Sequence, residues 1–205
     1  MRKQGVMELI AHRINTLAGL AKLPREFGAE IDIRAAGSEL ILHHEPHEAG
    51  DRLVDFLDAY SHGTLVLNIK ESGVEDAVLQ LVDQRGLGNQ CFLLDVEIPW
   101  LYRAAQAGER RGAVRYSEVE PLGSVAAFAG QVDWVWIDCF TSLPLDAEGV
   151  AVLRDFKTCL VCPERWGRPE DIVPYRQHMA TLDFEPDAVM TAERYRAAWT
   201  EGIGS

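Results

Sequence analysis

The chain has 205 residues, of which 47% are hydrophobic and 25% are charged, and this is the composition of a globular protein with a well-buried core. Its formal net charge is −12, so it is a poor match for nucleic acid, whose binding depends on clustered Lys and Arg. Anionic membrane surfaces should also repel it, and no apolar run approaches the length of a membrane span.

The N-terminal segment MRKQGVMELIAHR is too short and too interrupted for the apolar region of a signal peptide. We therefore expect a cytoplasmic protein with no nucleic-acid partner and no stable membrane insertion. The sequence leaves the oligomeric state open.

Eight short apolar runs recur along the chain, and the stretches between them have helical spacing, as in Leu53, Phe56, Leu57 and Tyr60. Apolar strands that alternate with helices predict a parallel sheet covered by helices. Eight such units predict an α/β fold, a small (β/α)8 TIM barrel, with residues 1–205 as one domain. A doubly wound open sheet is the rival, but no G-x-G-x-x-G follows the first run. The runs are MELIAH, AEIDI, TLVLNI, CFLLDV, GAVRYS, WVWIDC, TCLVCP and DAVMTA.

Polar residues stand at the ends of the first two runs, where a barrel of this kind carries its active site. His12 and Arg13 end the first run, and the second contains Glu30 and Asp32. Residues two apart on a strand share a face, so both carboxylates should point inward. Burial of the pair costs on the order of several kcal/mol unless a cation compensates. Either a divalent metal or an ion-pair network with basic side chains would supply that compensation.

The next segments add a second group of polar residues. SELILHH reads as an extension of the loop above the second strand, and it ends in the adjacent His43 and His44. Neighbours on an extended segment point opposite ways, so one histidine can reach the site and the other cannot. Asn68 and Lys70 share one face at the end of the third run.

Three further features follow along the chain. Asp95 ends the fourth run, and Asp138, at the end of the sixth, either caps the following helix or binds a metal. Cys159 and Cys162 form a C-x-x-C within a predicted strand. Because residues three apart on a strand point to opposite faces, we predict buried core thiols rather than a redox or zinc site.

The stretches IAHR, AEIDIR, ELILHHEP and VLNIKE together resemble the glycerophosphodiester phosphodiesterase family. The wider group includes barrel-type phosphatidylinositol-specific phospholipases C and spider-venom phospholipases D. The family pattern is His-Arg at the first strand, Glu-x-Asp at the second, then His-Asp-Pro, and Glu-Ile-Lys at the third. The first three elements occur here in the same order and at similar spacing, and the resemblance covers roughly the first third of the chain.

The resemblance implies a phosphoric diester hydrolase that acts on a small glycerophosphodiester-like molecule in lipid metabolism. It implies that His12 and His44 form the general acid and base pair, and it favours His44 over His43. Arg13 and Lys70 would bind the phosphate. The implied ligands of a divalent metal, Mg²⁺ or Ca²⁺, are Glu30, Asp32 and Asn68.

The chain departs from the family pattern at several positions. Asn68 stands where the family has a metal-binding Glu, and Glu45 replaces the Asp after the histidine. Ala192 stands where relatives carry an acidic residue, and no Pro-Glu-Asn-Thr follows Arg13. Two alternatives therefore stay open. One is a barrel that binds a phosphate ligand without turnover, and the other is a phosphosugar-type barrel enzyme that uses Lys70 as a Schiff-base amine.

Overall fold

The computed structural model describes residues 7–201; residues 1–6, which begin the segment considered above for a signal peptide, lie outside this range, as do residues 202–205. The chain divides into two compact units. One consists of Ile10–Ala113, and the other consists of Met1–Leu9 together with Val114–Ser205. The prediction that the chain forms one domain stays a prediction.

The strands and helices of the Ile10–Ala113 unit alternate, except for two short strands after the second. The strands are β1 (Glu8–Ala11, which begins in the other unit), β2 (Gly28–Ala36), β3 (Glu39–Leu42), β4 (Asp51–Arg52), β5 (Leu65–Ile69) and β6 (Cys91–Leu94). The helices are α1 (Leu17–Leu20), α2 (Leu53–Ala59), α3 (Glu75–Gln84) and α4 (Ile98–Gln106).

Strand β2 lies at the centre of this unit. It pairs in parallel with β1 on one side and with β5 on the other, and β5 pairs in parallel with β6. The register sets Asp32 directly beside Asn68. The residues next to Asp32 and Asn68 in the chain, among them Ile31, Ile33 and Leu67, are fully buried in the apolar core with the helices. The same alternation therefore sends apolar side chains into the core and polar ones to the opposite face.

The segment SELILHH differs from the loop that the sequence predicted. Strand β2 continues to Ala36, and β3 pairs with it in antiparallel fashion, with Ile33 opposite Leu42 and Ala36 opposite Glu39. Gly37 makes the turn with a φ of 65°, a left-handed conformation that favours glycine. The segment is a regular hairpin because burial of Leu42 requires the backbone of β3 to be hydrogen-bonded.

The other unit repeats the alternation in a simpler form, since no extra strands interrupt it. Its described strands lie in the order β10-β9-β8-β7, and β9 is parallel to both of its neighbours. The strands are β7 (Ala113–Tyr116, which begins in the first unit), β8 (Trp134–Ile137), β9 (Lys157–Val161) and β10 (Ala188–Thr191). The helices are α5 (Leu122–Ala127), α6 (Ala147–Leu153), α7 (Ile172–Thr181) and α8 (Arg196–Thr200).

All eight predicted apolar runs contain a strand, and these are the eight strands other than β3 and β4. This confirms the predicted alternation along the described part of the chain. None of the helices within residues 7–201 has the length and apolar character needed to cross a membrane.

The four cysteines are free and buried, as predicted for the C-x-x-C pair. Burial raises the pKa of the Cys91 and Cys139 thiols to about 12, so neither forms a thiolate at neutral pH. We conclude that these thiols serve packing.

Candidate active site

The Glu30 carboxylate lies at the centre of a polar cluster formed by residues of the Ile10–Ala113 unit. Its side chain is almost fully buried. The backbone N–H of Arg13 donates to its Oε2 over 2.8 Å, and Nδ2 of Asn68 donates to its Oε1 over 2.7 Å. Burial raises the pKa of Glu30 to about 7, and the nearby charge of Asp32 adds to that rise. The hydrogen bond from Asn68 acts in the opposite direction because it favours the ionised carboxylate.

Asp32, which is completely buried, is held by a residue that sequence reasoning missed. The Asn15 side chain accepts a hydrogen bond from the Asp32 backbone N–H over 2.8 Å and donates one to Asp32 Oδ2 over 2.7 Å. Lys70 Nζ lies 3.2 Å from Asp32 Oδ1, and Arg13 Nε lies 3.9 Å from Oδ2. Two cations and an amide therefore surround one buried carboxylate.

The predicted residues at the end of β1 lie beside these carboxylates. His12 Nε2 is 4.0 Å from Glu30 Oε2, and the His12 side chain is 27% exposed, so solvent and small molecules can reach it. Arg13 has a φ of 54°. A non-glycine residue in that left-handed region costs on the order of 1–3 kcal/mol, and such strain is concentrated at functional sites. The turn aims the Arg13 N–H at Glu30 and leaves its side chain near Asp32.

Lys70 connects the cluster to β6. Its ammonium lies 3.5 Å from Asp95 Oδ2 as well as 3.2 Å from Asp32 Oδ1. Asp95 follows β6 with a φ of 58°, which makes it the second non-glycine residue with a left-handed backbone in this cluster. Asp95 therefore contacts Lys70, and Lys70 contacts both acidic residues.

The two adjacent histidines have different surroundings. The His44 Nδ1–H donates to Glu45 Oε1 over 2.6 Å, and this bond lowers the pKa of Glu45. The backbone N–H of Glu45 donates to Nδ1 of His43 over 3.0 Å, so the His43 ring closes a local turn. Within residues 7–201, the hydrogen bond of the His44 ring is with Glu45 and not with the other predicted site residues. The structure thus brings together His12, Arg13, Glu30, Asp32, Asn68 and Lys70 by direct contact, whereas the His44 side chain remains outside that set.

The predicted metal ligands can be checked by asking which of their side-chain oxygen atoms accept no hydrogen bond. Within residues 7–201, no group of three or more His, Cys, Asp and Glu side chains is arranged to hold a metal ion. The predicted set, however, includes the amide of Asn68. Asn68 Oδ1 and Asp32 Oδ1 are both buried and accept no hydrogen bond from the described residues, although Lys70 forms an ion pair with Asp32 Oδ1. Asp32 and Asn68 lie beside each other on the neighbouring strands β2 and β5. Because Mg²⁺ and Ca²⁺ prefer oxygen ligands, these two residues together with Glu30 fit a hard divalent cation.

Asp138, in the other unit, is satisfied by protein donors. Nη2 of Arg115 donates to its carboxylate over 3.0 Å and Nε1 of Trp166 donates over 2.9 Å, while the Cys139 backbone N–H also donates over 3.0 Å. The following helix α6 is instead capped by Asp146, which accepts from the Gly149 N–H. The first alternative for Asp138, a helix cap, is therefore wrong.

No protein-family model matches the chain, and no curated protein sequence does. Two solved structures from Agrobacterium tumefaciens str. C58 are similar to it. One is provisionally named as a glycerophosphoryl diester phosphodiesterase: it is 13% identical with a TM-score of 0.62, and the similarity covers 91% of this chain and 94% of that one. The other is described as a glycerophosphodiester phosphodiesterase: it is 14% identical with a TM-score of 0.66, and the similarity covers 90% and 96%.

These similarities establish the fold. The chain has the α/β TIM-barrel fold that its eight apolar runs predict. Both structures are described with the name of the family that the sequence motifs resemble, and this supports the resemblance.

Proposed function

We propose that this protein is a phosphoric diester hydrolase that acts on a small phosphodiester of the glycerophosphodiester type. The observation that carries the proposal is the group of His12, Arg13 and Lys70 around two buried carboxylates. It combines a titratable ring with two cations at the ends of neighbouring strands, where a TIM barrel carries its active site. The names of the two similar structures support the same activity.

The chemistry follows from the properties of a phosphodiester. The substrate is an anion that resists attack, so its charge must be neutralised, and Arg13 and Lys70 supply two positive charges. A water molecule or a neighbouring substrate hydroxyl attacks phosphorus while the bond from phosphorus to the departing alcohol oxygen breaks. One group must take the proton from the nucleophile, and another must give a proton to the leaving alkoxide.

We assign those two proton transfers to His12 and His44. Histidine changes its charge near neutral pH, so two histidines can hold complementary protonation states. The bond from His44 Nδ1–H to Glu45 keeps the proton on that nitrogen, and Nε2 is then the nitrogen that exchanges a proton with the substrate. Glu45 would thus orient His44, even though it is a Glu where the family has an Asp.

We further propose that Glu30, Asp32 and Asn68 hold a divalent metal, Mg²⁺ or Ca²⁺. When bound, such an ion supplies charge neutralisation at a phosphoryl oxygen. Asn68 Nδ2 holds the Glu30 carboxylate in place, and this leaves Oδ1 of Asn68 available as a neutral ligand. Because Asn68 replaces a carboxylate, we expect weaker metal binding than at a site with three carboxylates.

A second candidate function is phosphate-ligand binding without turnover, which the neutral Asn68 favours. A Schiff-base role for Lys70 is less well supported, since its ammonium is held in ion pairs with Asp32 and Asp95. The cytoplasmic location and the connection with lipid metabolism stay predictions.

The experiment that tests the proposal is an assay of the purified chain against a panel of glycerophosphodiesters, cyclic phosphodiesters and nitrophenyl phosphodiesters. Each substrate is incubated with Mg²⁺, Ca²⁺, Mn²⁺ or a chelator. We expect hydrolysis of at least one glycerophosphodiester with a divalent metal and its loss with the chelator. Binding of these compounds without any product would favour the second candidate function.

A further inference from the structure

Arg34 is a polar residue of β2 to which neither the sequence motifs nor the proposed chemistry gives a role. It lies two residues beyond Asp32 and four beyond Glu30, on the same face of the strand. Its side chain is only 16% exposed. A cationic side chain with so little contact with water needs partners, and the partners of Arg34 are unusual.

The guanidinium of Arg34 contacts the backbone of two proposed site residues. Its Nε and Nη2 both donate to the carbonyl oxygen of His44, over 3.1 and 2.8 Å. Its Nη1 lies 3.3 Å from the carbonyl oxygen of Lys70, to which it donates. Those two carbonyls belong to different segments, one after β3 and the other after β5. A planar guanidinium can bridge them because its N–H groups point in several fixed directions.

Glu71 also contacts the Arg34 side chain. Its Oε1 accepts a hydrogen bond from the Ala35 backbone N–H over 2.8 Å, and its Oε2 lies 3.8 Å from Arg34 Nη1. Glu71 directly follows Lys70 in the chain, so the segment that carries Lys70 is attached to the end of β2 at both its carbonyl and its next side chain. The guanidinium is therefore held in one position, which a flexible surface arginine would not be.

We infer that Arg34 is a positioning residue that sets His44 relative to Lys70. The inference rests on the proposed function, in which His44 transfers a proton and Lys70 binds the phosphate. Within residues 7–201, the His44 ring forms its hydrogen bond with Glu45 and none with the other proposed site residues, so its place relative to them depends on its backbone. A displacement of about 1 Å at a reacting group can lower a rate by about 10²-fold. The hydrogen bonds from Arg34 to the two carbonyls, which we call the clamp, should therefore affect the rate of hydrolysis.

Kinetics of the variant Arg34→Ala test the inference, with Arg85→Ala as the matched control. The Arg85 side chain is 18% exposed, donates through Nε to Asp58 over 2.6 Å and through Nη1 to the Leu81 carbonyl over 3.0 Å, and joins helices rather than site segments. We expect kcat of Arg34→Ala to fall by about 10- to 100-fold, with a smaller change in KM, and kcat of Arg85→Ala to change by less than about threefold. Added guanidinium ion should restore part of the activity of Arg34→Ala and none of any loss in Arg85→Ala. Equal losses in the two variants, or no loss in Arg34→Ala, would overturn the inference.

Hydrogen exchange supplies a readout that does not depend on activity. In Arg34→Ala, amide exchange should become faster in residues 43–47 and in residues 70–73 together, whereas Arg85→Ala should leave both segments unchanged. If Arg34→Ala does not fold, Arg34→Lys keeps the charge but cannot bridge both carbonyls, and the same joint increase is expected. Failure of the native protein to hydrolyse any phosphodiester would refute the proposed function, whereas unchanged exchange in both segments would refute the clamp itself.

Discussion

Replacement of Asn15 should destabilise the protein more than its short side chain and partial exposure suggest. Asn15→Ala removes the acceptor of the Asp32 backbone N–H and a donor to the Asp32 carboxylate, at distances of 2.8 and 2.7 Å. An unsatisfied buried N–H costs about 1–3 kcal/mol, and the loss of a hydrogen bond to a charged group costs about 1.5–3 kcal/mol. Because water can reach part of the Asn15 site, we expect the lower part of the combined range, about 2.5–4 kcal/mol of unfolding free energy.

Asn15→Asp is the sharper test, because it keeps an acceptor for the backbone N–H while it sets a second carboxylate against Asp32. It should be at least as destabilising as Asn15→Ala above pH 6, since like charges at hydrogen-bond distance repel. The control is Thr16→Ala, which removes the neighbouring N-cap of α1 and should cost about 1 kcal/mol.

Urea denaturation followed by circular dichroism measures the three free energies of unfolding. A cost below about 1 kcal/mol for Asn15→Ala, or an Asn15→Asp variant as stable as the native protein, would refute the reasoning, since a typical lost hydrogen bond already costs that much.

His12→Ala and His44→Ala should each lower kcat for phosphodiester hydrolysis by about 10²- to 10⁴-fold, whereas His43→Ala should retain most of the activity; a folded His43→Ala as impaired as His44→Ala would contradict the proposed register. Of the two impaired variants, the one that lacks the general acid should recover much of its rate on a nitrophenyl phosphodiester, because nitrophenolate leaves without a proton. Calorimetric titration should show tighter Mg²⁺ or Ca²⁺ binding to Asn68→Glu than to the native chain; equal affinity would mean that Asn68 does not face the metal, and Asp95 would become the next ligand to test. Gly50→Ala should lower the thermal unfolding temperature, because its new Cβ would clash with the Leu42 carbonyl oxygen, and an unchanged temperature would show that this turn adapts.

The sequence predicted these eight strands well because each lies in a short apolar run, and the stretches between the runs have helical spacing instead. It also predicted that Glu30 and Asp32 share a face, since that conclusion needs only the period of a strand. The hairpin after β2 was predicted as a loop extension because its alternation of Leu40, Ile41 and Leu42 shows no clear two-residue period. Its pairing with β2, from Ile33 opposite Leu42 to Ala36 opposite Glu39, reveals that the segment is a strand.

Asn15 and Arg34 were missed for a different reason. Each acts through partners distant in the chain, since Asn15 binds a residue 17 positions away and Arg34 binds carbonyls 10 and 36 positions away. Backbone carbonyls carry no residue identity, so no motif could indicate them. A weak signal for Arg34 was nevertheless available, because the two-residue period that joins Glu30 to Asp32 continues to residue 34.

The hairpin has a consequence for how the histidine pair tolerates change. The antiparallel register of β3 on β2 determines which histidine carbonyl Arg34 binds and which histidine ring accepts the backbone N–H of Glu45. A slip of β3 by one residue away from the turn would move both histidines one place and bring His43 to where His44 had been. The doubled histidine therefore provides a spare, and insertion of one residue after Gly37 in the turn offers a direct test. In that variant the histidine required for hydrolysis should change from His44 to His43.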